Sequence, residues 1–431
     1  MTKRMLLAVL LLIVFALPAG CQKQGGEPTQ PTAPAPTILP TPTPEPSPTP
    51  TPDPVGEALA GMTVEQKAAQ LLVAGIEGTE PGEDAVQAVQ GYQVGGVILF
   101  GRNVESAEQL AALTNGLKEL NGDYTPLFLC VDQEGGRVDR MPPEVSRTPS
   151  AWRVGQAMAR GTAGAEYGVL LAEECAAFGF NMDFAPSLDI WSNPDNTVIG
   201  DRAFGGDWEW VTDFGFRAVE AMAELGDVIP VVKHFPGHGD TAVDSHTALP
   251  VVDKTLEDLW QSELVPFDMV LSGQFWGEPV MEPTPAVMVA HILLSQIDPD
   301  NPASLSPEVV TGLLREEMGY EGVVCTDDLT MGAISNIYGM GEAAVLAVEA
   351  GCDLLLVCHG ADNLAAAHAA LVDAVDSGRI SMERLDESVY RVLSLKAVYG
   401  LSNAPVEAPD IKALNDRIAA LERSIEADTS Q

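Results

Sequence analysis

Short apolar runs alternate with amphipathic stretches along the chain from about residue 55 onward. Eight of these runs are predicted to be β-strands, at residues 71–76, 95–100, 127–132, 181–186, 228–234, 286–292, 322–327 and 353–358. Most of them are nearly continuous in aliphatic residues, which is typical of parallel strands that are covered on both faces. Eight strands separated by helices predict either a closed (β/α)8 barrel or an open, doubly wound sheet.

The segments between the strands carry helix signals. Thr63 and Gln66 have the spacing of a capping box, which predicts a helix before the first strand. Ser306 is expected to be an N-cap ahead of a proline at the first helical position, and Gly319 is expected to end that helix. Two alanine-rich stretches are also predicted to be helical, at residues 342–350 and 362–375.

Polar residues follow several of the predicted strands at their carboxyl ends. They come from five different strands and are Asp132, Lys233, His234, His291, Asp327 and His359. A barrel mouth gathers all of its strand ends around one site, whereas an open sheet gathers only those at its switch point. The sequence therefore predicts a (β/α)8 barrel with one site at its carboxyl end.

The first 54 residues differ in composition from the rest. A basic start and an apolar run over residues 5–17, too short to span a bilayer comfortably, precede Cys21. This pattern predicts a signal peptide, 1–21, with a lipid-modified Cys21. It departs from the usual lipoprotein motif in one respect, because Pro18 stands where leucine is usual. The alternative is a cleaved signal peptide with an incidental cysteine. Residues 22–54, rich in Pro and Thr, predict a disordered, extended linker. We expect a cell-surface lipoprotein on the outside of the cytoplasmic membrane.

The composition limits the classes of partner that the folded part can bind. The 431 residues include 62 acidic and 23 basic side chains, for a formal charge of −39. Such a surface repels nucleic acid and anionic lipid, so we expect no nucleic-acid partner and membrane contact only through the N-terminal anchor. The five cysteines after Cys21 lie in apolar runs and are expected to be buried without disulfides. One domain is predicted over residues 55–402, followed by a polar tail, 403–431, that is predicted to form a short polar helix.

Three of the six histidines fall within residues 234–246. His234 and His238 are four residues apart, as on a zinc-binding helix, but the intervening Pro and Gly oppose a helix, so no metal is predicted. In an extended segment, Asp244 and His246 point to the same side. The carboxylate could then orient the imidazole as an acid or base. A solvated loop histidine is the alternative.

Two other runs place carboxylates at strand ends. Asp327 ends an apolar strand, where a buried carboxylate without a function would be costly, so it is predicted to be a nucleophile. The alternative is a helix N-cap, a role that Asp328 could fill. In residues 130–140, two glycines allow a tight turn that would bring Asp132 and Arg140 to the barrel mouth; a solvated surface ion pair is the alternative.

These runs, together with residues 193–207 and 285–292, resemble the β-N-acetylhexosaminidases of glycoside hydrolase family 3. The similarity covers essentially all of residues 55–401. It implies a retaining enzyme in which Asp327 forms a covalent glycosyl-aspartate and His246, held by Asp244, acts as the general acid and then as the base. It also implies a set of residues that hold the terminal sugar, namely Asp132, Arg140, Arg202, Lys233 and His234.

The resemblance further implies a monomeric exo-β-N-acetylglucosaminidase that acts in peptidoglycan turnover and needs no cofactor. One long connection, 267–285, departs from the family pattern, and its Phe275 and Trp276 could stack on a sugar ring or simply pack at the surface.

Three alternative functions remain. The first is a phosphorylase, because a neutral histidine repels phosphate less than a carboxylate does. The others are a β-glucosidase of the same family and a surface lipoprotein that binds glycans without cleaving them.

Overall fold

The computed structural model describes residues 53–157, 160–225, 227–241, 245, 248–275, 278–279 and 285–429. The predicted signal peptide with Cys21, and the linker up to residue 52, lie outside the described residues. Asp244, His246 and Trp276 also lie outside them. Among the described helices, none combines the length and the apolar character that a bilayer crossing requires.

Eight parallel strands close into a barrel. We number them in chain order as β1 Leu72–Gly75, β2 Gly96–Ile98, β3 Phe128–Val131, β4 Met182–Asp183, β5 Ile229–Phe235, β6 Ala286–Val289, β7 Val324–Asp328 and β8 Leu354–Val357. Each strand pairs with its neighbours in this order, and β8 pairs with β1 to close the ring. The predicted (β/α)8 barrel is confirmed, and all eight predicted strands are present. Most are shorter than predicted, β4 most of all, whereas β5 and β7 each extend one residue beyond their predicted ends.

Each strand contacts two apolar layers, one inside the barrel and one outside it, which explains why the strands are continuous hydrophobic runs in the sequence. Side chains such as Val73, Phe128 and Cys325 form a cluster inside the barrel. Their neighbours Leu72 and Val324 belong instead to a larger cluster between the strands and the helices. Because both faces are covered, alternation with polar residues is absent. The five described cysteines are all buried and free, as predicted.

Helices surround the barrel and connect its strands. The α-helices span Pro54–Ala60, Val64–Gln70, Glu83–Val86, Ala107–Asn121, Ala151–Val154, Arg160–Ala177, Trp208–Leu225, Leu256–Trp260, Leu264–Leu271, Gly332–Ser335, Met340–Ala350, Ala361–Asp376, Met382–Val398 and Ile411–Thr429. Two further described segments are π-helical, Gln87–Tyr92 and Glu308–Glu317. Three others form 3-10 turns, at Gly101–Asn103, Gly200–Arg202 and Ala303–Leu305.

The predicted helix signals are confirmed. Thr63 and Gln66 form the reciprocal hydrogen bonds of a capping box at the start of Val64–Gln70. The hydroxyl of Ser306 accepts a hydrogen bond from the Val309 N–H at 3.3 Å, so Ser306 caps the next predicted helix. Gly319 follows that helix with a φ of 71°, a left-handed conformation that glycine adopts without strain.

Two segments are more ordered than their sequences predict. The prediction of a long connection over residues 267–285 is wrong for its first part. This part continues the helix Leu264–Leu271, and Phe267 is fully buried. Further on, Gln274–Phe275 pairs with Glu278–Pro279 in a small antiparallel ladder. The region after residue 403, predicted to be a polar tail with a short helix, forms the 19-residue helix Ile411–Thr429, which packs against Arg160–Ala177.

Candidate active site

A cavity of about 210 Å³ opens at the carboxyl ends of the barrel strands. Six of the eight predicted site residues line it, namely Asp132, Arg140, Arg202, Lys233, His234 and Asp327. The other two, Asp244 and His246, lie outside the described residues. Ser245, between them in sequence, is described and lines the same cavity. The sequence thus identified side chains that four different strand ends and their loops bring together.

His291 does not reach this cavity, contrary to the expectation that it lies at the barrel mouth. It is fully buried behind the strand ends. Its Nδ1 is 2.7 Å from the Ser304 hydroxyl, and its Nε2 is 3.0 Å from the Asp328 carbonyl oxygen. Since a carbonyl oxygen can only accept, Nε2 carries the proton and supports the end of β7. His359, by contrast, lines the cavity as expected.

Lys233 lies at the centre of a buried ion-pair network. Its Nζ is 2.6 Å from an oxygen of Asp132 and 2.6 Å from an oxygen of Glu134. Glu134 also accepts two hydrogen bonds from Arg202, from Nε and Nη2, both at 2.8 Å. This bidentate geometry fixes the plane of the guanidinium. Two positive and two negative groups therefore hold one another rigidly along one wall.

The network keeps its members charged. Burial alone would raise the pKa of Glu134, but Arg202 and Lys233 hold the pKa of this carboxyl well below its usual range. Burial alone would likewise lower the pKa of Lys233, yet Asp132 and Glu134 raise it above its ordinary value. Because the Lys233 ammonium and the Glu134 carboxylate stay ionised near neutral pH, the network can make charge-assisted hydrogen bonds to a polar ligand.

His234 is held in one tautomer. Its Nδ1 is 2.6 Å from Oδ2 of the fully buried Asp189, so Nδ1 donates to that carboxylate. Nε2 is then the acceptor, and Nη2 of Arg202 donates to it at 3.1 Å. Although burial would raise the pKa of Asp189, the interactions with His234 and His238 lower it to about 2. His234 therefore joins the Asp189 carboxylate to the Arg202 network.

Asp327 lies at the end of β7 on the cavity wall. One of its oxygens accepts a hydrogen bond from the Asp328 N–H at 2.8 Å. The neighbouring Asp328 also lines the cavity, and its carboxylate accepts hydrogen bonds from the N–H groups of Thr330 and of Cys358 on the adjoining strand. The helix Gly332–Ser335 has Met331 at its N-cap, without a side-chain cap. The N-cap alternative is therefore wrong for both carboxylates.

An aromatic and cationic cluster borders the cavity. The Phe100 ring stacks on the His359 imidazole with centroids 5.7 Å apart, and Cζ of Arg102 lies 4.6 Å from the Phe100 centroid. Arg102 is fixed in turn by a hydrogen bond from Nη2 to the Cys358 carbonyl. Phe100 and His359 both line the cavity, so its edge offers flat surfaces as well as charge.

Two residues of the site, Glu134 and Asp189, were not predicted from the sequence. Glu134 lies two positions after Asp132, so it shares the same side of the extended chain that leaves β3, and this spacing could have revealed it. Asp189 follows β4 within a run of buried residues, where a carboxylate without a purpose would be costly. Glu134 lies within the run 130–140, from which only Asp132 and Arg140 were predicted, and Asp189 lies outside all of the predicted runs.

The zinc geometry that was considered for His234 and His238 is not present. The nitrogens of His234 contact Asp189 and Arg202, whereas those of His238 contact Thr241 and Ser245. The two rings therefore do not converge on a common point. Within the part of the chain that the structure describes, no three His, Cys, Asp or Glu side chains are grouped to hold a metal ion.

A (β/α)8 barrel whose mouth combines carboxylates with charged hydrogen-bonding groups over one small cavity has the architecture of a glycoside hydrolase. The family model described as "Glycosyl hydrolase family 3 N terminal domain" matches residues 63–395. The chain therefore belongs to glycoside hydrolase family 3, which confirms the resemblance seen in its motifs.

Individual relatives carry related names. A protein named β-hexosaminidase A from Pseudoalteromonas piscicida is 34% identical over 346 residues, covering 74% of this chain and 56% of the relative. A β-hexosaminidase from Alkalilimnicola ehrlichii is 38% identical, covering 67% of this chain and 80% of the relative. The solved family 3 β-N-acetylglucosaminidase from Paenibacillus sp. str. FPU-7 has a TM-score of 0.77 and 41% identity, covering 84% of this chain and 69% of that one. The chain thus spans little more than half of the Pseudoalteromonas protein.

Proposed function

We propose that the protein is a retaining exo-β-N-acetylglucosaminidase that removes terminal N-acetylglucosamine from peptidoglycan-derived or related glycans. The observation that carries the proposal is the convergence of Asp327 with the Asp132–Lys233–Glu134–Arg202 network in one cavity. The names of the similar β-hexosaminidases and of the Paenibacillus β-N-acetylglucosaminidase support this choice of sugar.

The proposed reaction has two displacements. In the first, an oxygen of Asp327 bonds to the anomeric carbon while the bond from that carbon to the leaving oxygen breaks. The His246 imidazolium gives its proton to the leaving oxygen. In the second, neutral His246 takes a proton from water, and the water oxygen bonds to the anomeric carbon and releases Asp327. Asp244 would orient the ring and stabilise its charged form.

The remaining residues would bind the sugar. Asp132 and Lys233 present a charged acceptor and a charged donor to the cavity, and sugar hydroxyls accept and donate equally well. Arg140 lines the same cavity, and its backbone N–H donates a hydrogen bond to the Gln133 side-chain oxygen at 2.8 Å. These groups are positioned before the substrate arrives, so little ordering is required during binding.

The assignment is tested by comparing 4-nitrophenyl N-acetyl-β-glucosaminide with the corresponding glucoside, with and without phosphate. We expect rapid release of 4-nitrophenol from the first substrate only, and free N-acetylglucosamine as the product in both buffers. Sugar 1-phosphate in phosphate buffer would assign the protein as a phosphorylase. Equal turnover of the glucoside would contradict the proposed sugar preference. No turnover of either substrate would support the non-catalytic alternative.

We also propose that the enzyme acts outside the cell as a lipoprotein, on the basis of the sequence pattern around Cys21. Growth of a bacterial host with a radioactive fatty acid should label the full-length protein, and Cys21→Ala should abolish the label. Equal labelling of both proteins, or none in either, would contradict lipidation at this cysteine. A location outside the membrane implies that the substrates are fragments of the cell wall itself.

A further inference from the structure

Another cavity lies at the amino ends of the barrel strands, opposite the active site. Its volume is about 400 Å³, which is within the range of small-molecule sites. Asn181, directly before β4, and Asp227, shortly before β5, line it. About 20 Å of extended chain separates Asp227 from the active-site Lys233 near the other end of β5. The two cavities are therefore separate sites.

Lys118 lines this cavity without a partner for its charge. The residue is only 7% exposed, and its Nζ lies beside Gly179, where a β-carbon would be 3.2 Å from it. Among the described residues, none is within hydrogen-bond or ion-pair distance of this ammonium. Burial lowers the pKa of Lys118, and no acidic neighbour offsets the effect. Because lysine is rarely buried unless it is paired, an anion bound here would supply the missing partner.

Tyr399 is a second residue of the cavity with an unsatisfied polar group. It is 9% exposed, and its hydroxyl has no hydrogen-bond partner in the described structure. Burial raises the pKa of Tyr399 to about 12, so the hydroxyl stays neutral and able to donate. Buried polar groups without a partner are uncommon in proteins. The lining of this cavity thus includes two residues whose donors lack an acceptor.

The rest of the lining is largely apolar, and hydrogen bonds fix its position. The apolar residues are Ala176, Phe180, Leu401, Pro405 and Val406. Nδ2 of Asn115 donates to the Val406 carbonyl at 3.0 Å, and its Oδ1 accepts from the Val406 N–H at 2.8 Å. Nδ2 of Asn121 donates to Oδ1 of Asn403 at 3.0 Å. Because the walls are fixed in advance, little ordering is required when a ligand binds.

The charge around the cavity favours an anion with a single negative charge. The acidic Asp227 lines the same cavity, and the whole chain has a formal charge of −39. Both would repel a dianion such as hydrogen phosphate more strongly than a monoanion. We propose that this cavity binds a small organic monocarboxylate, with the carboxylate on Lys118 and the hydrocarbon part against Phe180 and Val406.

Isothermal titration calorimetry of the full-length protein with sodium benzoate and sodium butyrate tests the site. We expect one equivalent of each carboxylate to bind. Benzamide and butyramide should bind at least about tenfold more weakly, because they lack the charge. Lys118→Met should weaken carboxylate binding by at least about the same factor. Lys412→Met, at an exposed lysine outside the cavity, is the matched control and should leave the affinity unchanged.

Two results would overturn the proposal. One is equal affinity of the parent and Lys118→Met, and the other is no binding of either carboxylate to the parent. Lys118→Met is expected to fold with a melting temperature equal to or above the parent's, since it replaces an unpaired buried ammonium with an apolar group of similar length. Its kcat/KM for 4-nitrophenyl N-acetyl-β-glucosaminide should equal the parent's, because the active site lies at the other end of the barrel.

A pair of variants at Ala404 tests the same site without changing Lys118. Ala404 lines the cavity and is exposed, so a longer side chain is accommodated there without disturbing the core. Ala404→Asp should weaken benzoate binding at least about threefold through charge repulsion. Ala404→Asn, which has the same shape without the charge, should change the affinity less. Equal effects of the two variants would overturn the proposed binding of an anion in this cavity.

The active site also contains cations, Lys233 and Arg202, so binding there must be distinguished. Saturating N-acetylglucosamine should leave the affinity for benzoate unchanged. Displacement of benzoate by the sugar, with parent-like affinity in Lys118→Met, would place the carboxylate in the active site and overturn the proposal. Phosphate bound as tightly as benzoate would overturn the assignment of the ligand as a monocarboxylate.

Discussion

Individual side chains in the site depend on one another for their charge. Glu134 is 2% exposed and is surrounded by Arg202 and Lys233, so its carboxylate replaces the water that both cations lost on burial. Breaking such a buried pair from one side leaves uncompensated charge, which costs about 3–5 kcal/mol. The same network presents Asp132 and Lys233 to the cavity, so its stability and its ability to bind sugar are coupled.

Glu134→Gln should therefore affect both properties. We expect the free energy of unfolding to fall by about 3 kcal/mol, because two buried cations lose one carboxylate between them. We expect kcat/KM for the N-acetylglucosaminide to fall at least about tenfold, because the orientation of Lys233 and Arg202 is lost. Urea unfolding and steady-state kinetics measure the two effects. Glu105→Gln, at an exposed position, is the control, and parent-like values for Glu134→Gln would contradict the network's role.

The sequence predicted the cavity-lining residues better than it predicted their partners. Asp132, Lys233 and Asp327 were found because each follows an apolar strand, and strand ends of a barrel must meet. Asp189 and Glu134 contribute by contacting other side chains, and a contact across more than 40 positions, such as that of Asp189 with His234, leaves no local pattern. The failure of His291 to reach the cavity has the same origin, because Ser304 and the Asp328 carbonyl, which contact its two ring nitrogens, are distant in sequence.

At the scale of elements, periodicity predicted the strands because burial on both faces requires continuous apolar residues. The C-terminal region was predicted only as a polar tail with a short helix, because charged residues are spread along the whole of Ile411–Thr429. The structure shows that Leu414, Ile418, Leu421 and Ile425 nevertheless form one buried side of that helix. The spacing of these residues, four, three and four, is the signal that composition concealed.

This helix should stabilise the barrel without contributing to catalysis. Ile418 is 2% exposed, so Ile418→Ala should lower the free energy of unfolding by about 2–4 kcal/mol through lost burial and an unfilled cavity. Glu422→Ala, on the exposed side of the same helix, should change it by less than about 0.5 kcal/mol. Both variants should keep parent-like kcat/KM. A small effect of Ile418→Ala on unfolding would show that the helix is only weakly attached.

At the scale of the whole molecule, buried titratable groups behind the site make stability depend on pH. Glu174 is fully buried, and burial raises its pKa to about 8. Its oxygens contact Thr148 at 2.6 Å and accept from Nε2 of Gln133 at 2.8 Å, and Gln133 in turn accepts from the Arg140 N–H. The neutral form of Glu174 therefore supports the loop that carries Arg140.

The direction in which stability changes with pH follows from the difference between the pKa of Glu174 in the folded and in the unfolded state. The pKa of Glu174 is raised in the folded state, so its stabilising contribution is complete below about pH 4.5 and is lost as the pH rises through about 8. Glu174→Gln stays neutral at every pH. Between about pH 6 and pH 9, the parent should lose about 3 kcal/mol relative to Glu174→Gln, because the loss amounts to about 1.4 kcal/mol for each of the roughly two pH units between pH 6 and the folded pKa of about 8.

Urea unfolding of both proteins at the two pH values measures this difference. Lys396, whose pKa burial lowers to about 7, titrates in both proteins, so its opposite contribution cancels in the comparison. Parallel pH profiles for the two proteins would contradict the assignment of the effect to Glu174.

Asp327 is the proposed nucleophile of the reaction, and trapping of the covalent intermediate tests this role most directly. Incubation with a 5-fluoro N-acetylglucosaminyl fluoride, followed by protease digestion and fragmentation mass spectrometry, locates the attached sugar. We predict one equivalent of sugar on Asp327, and none in Asp327→Asn. A sugar on the neighbouring Asp328, on another carboxylate, or on no residue while the substrate is turned over would contradict the mechanism proposed here.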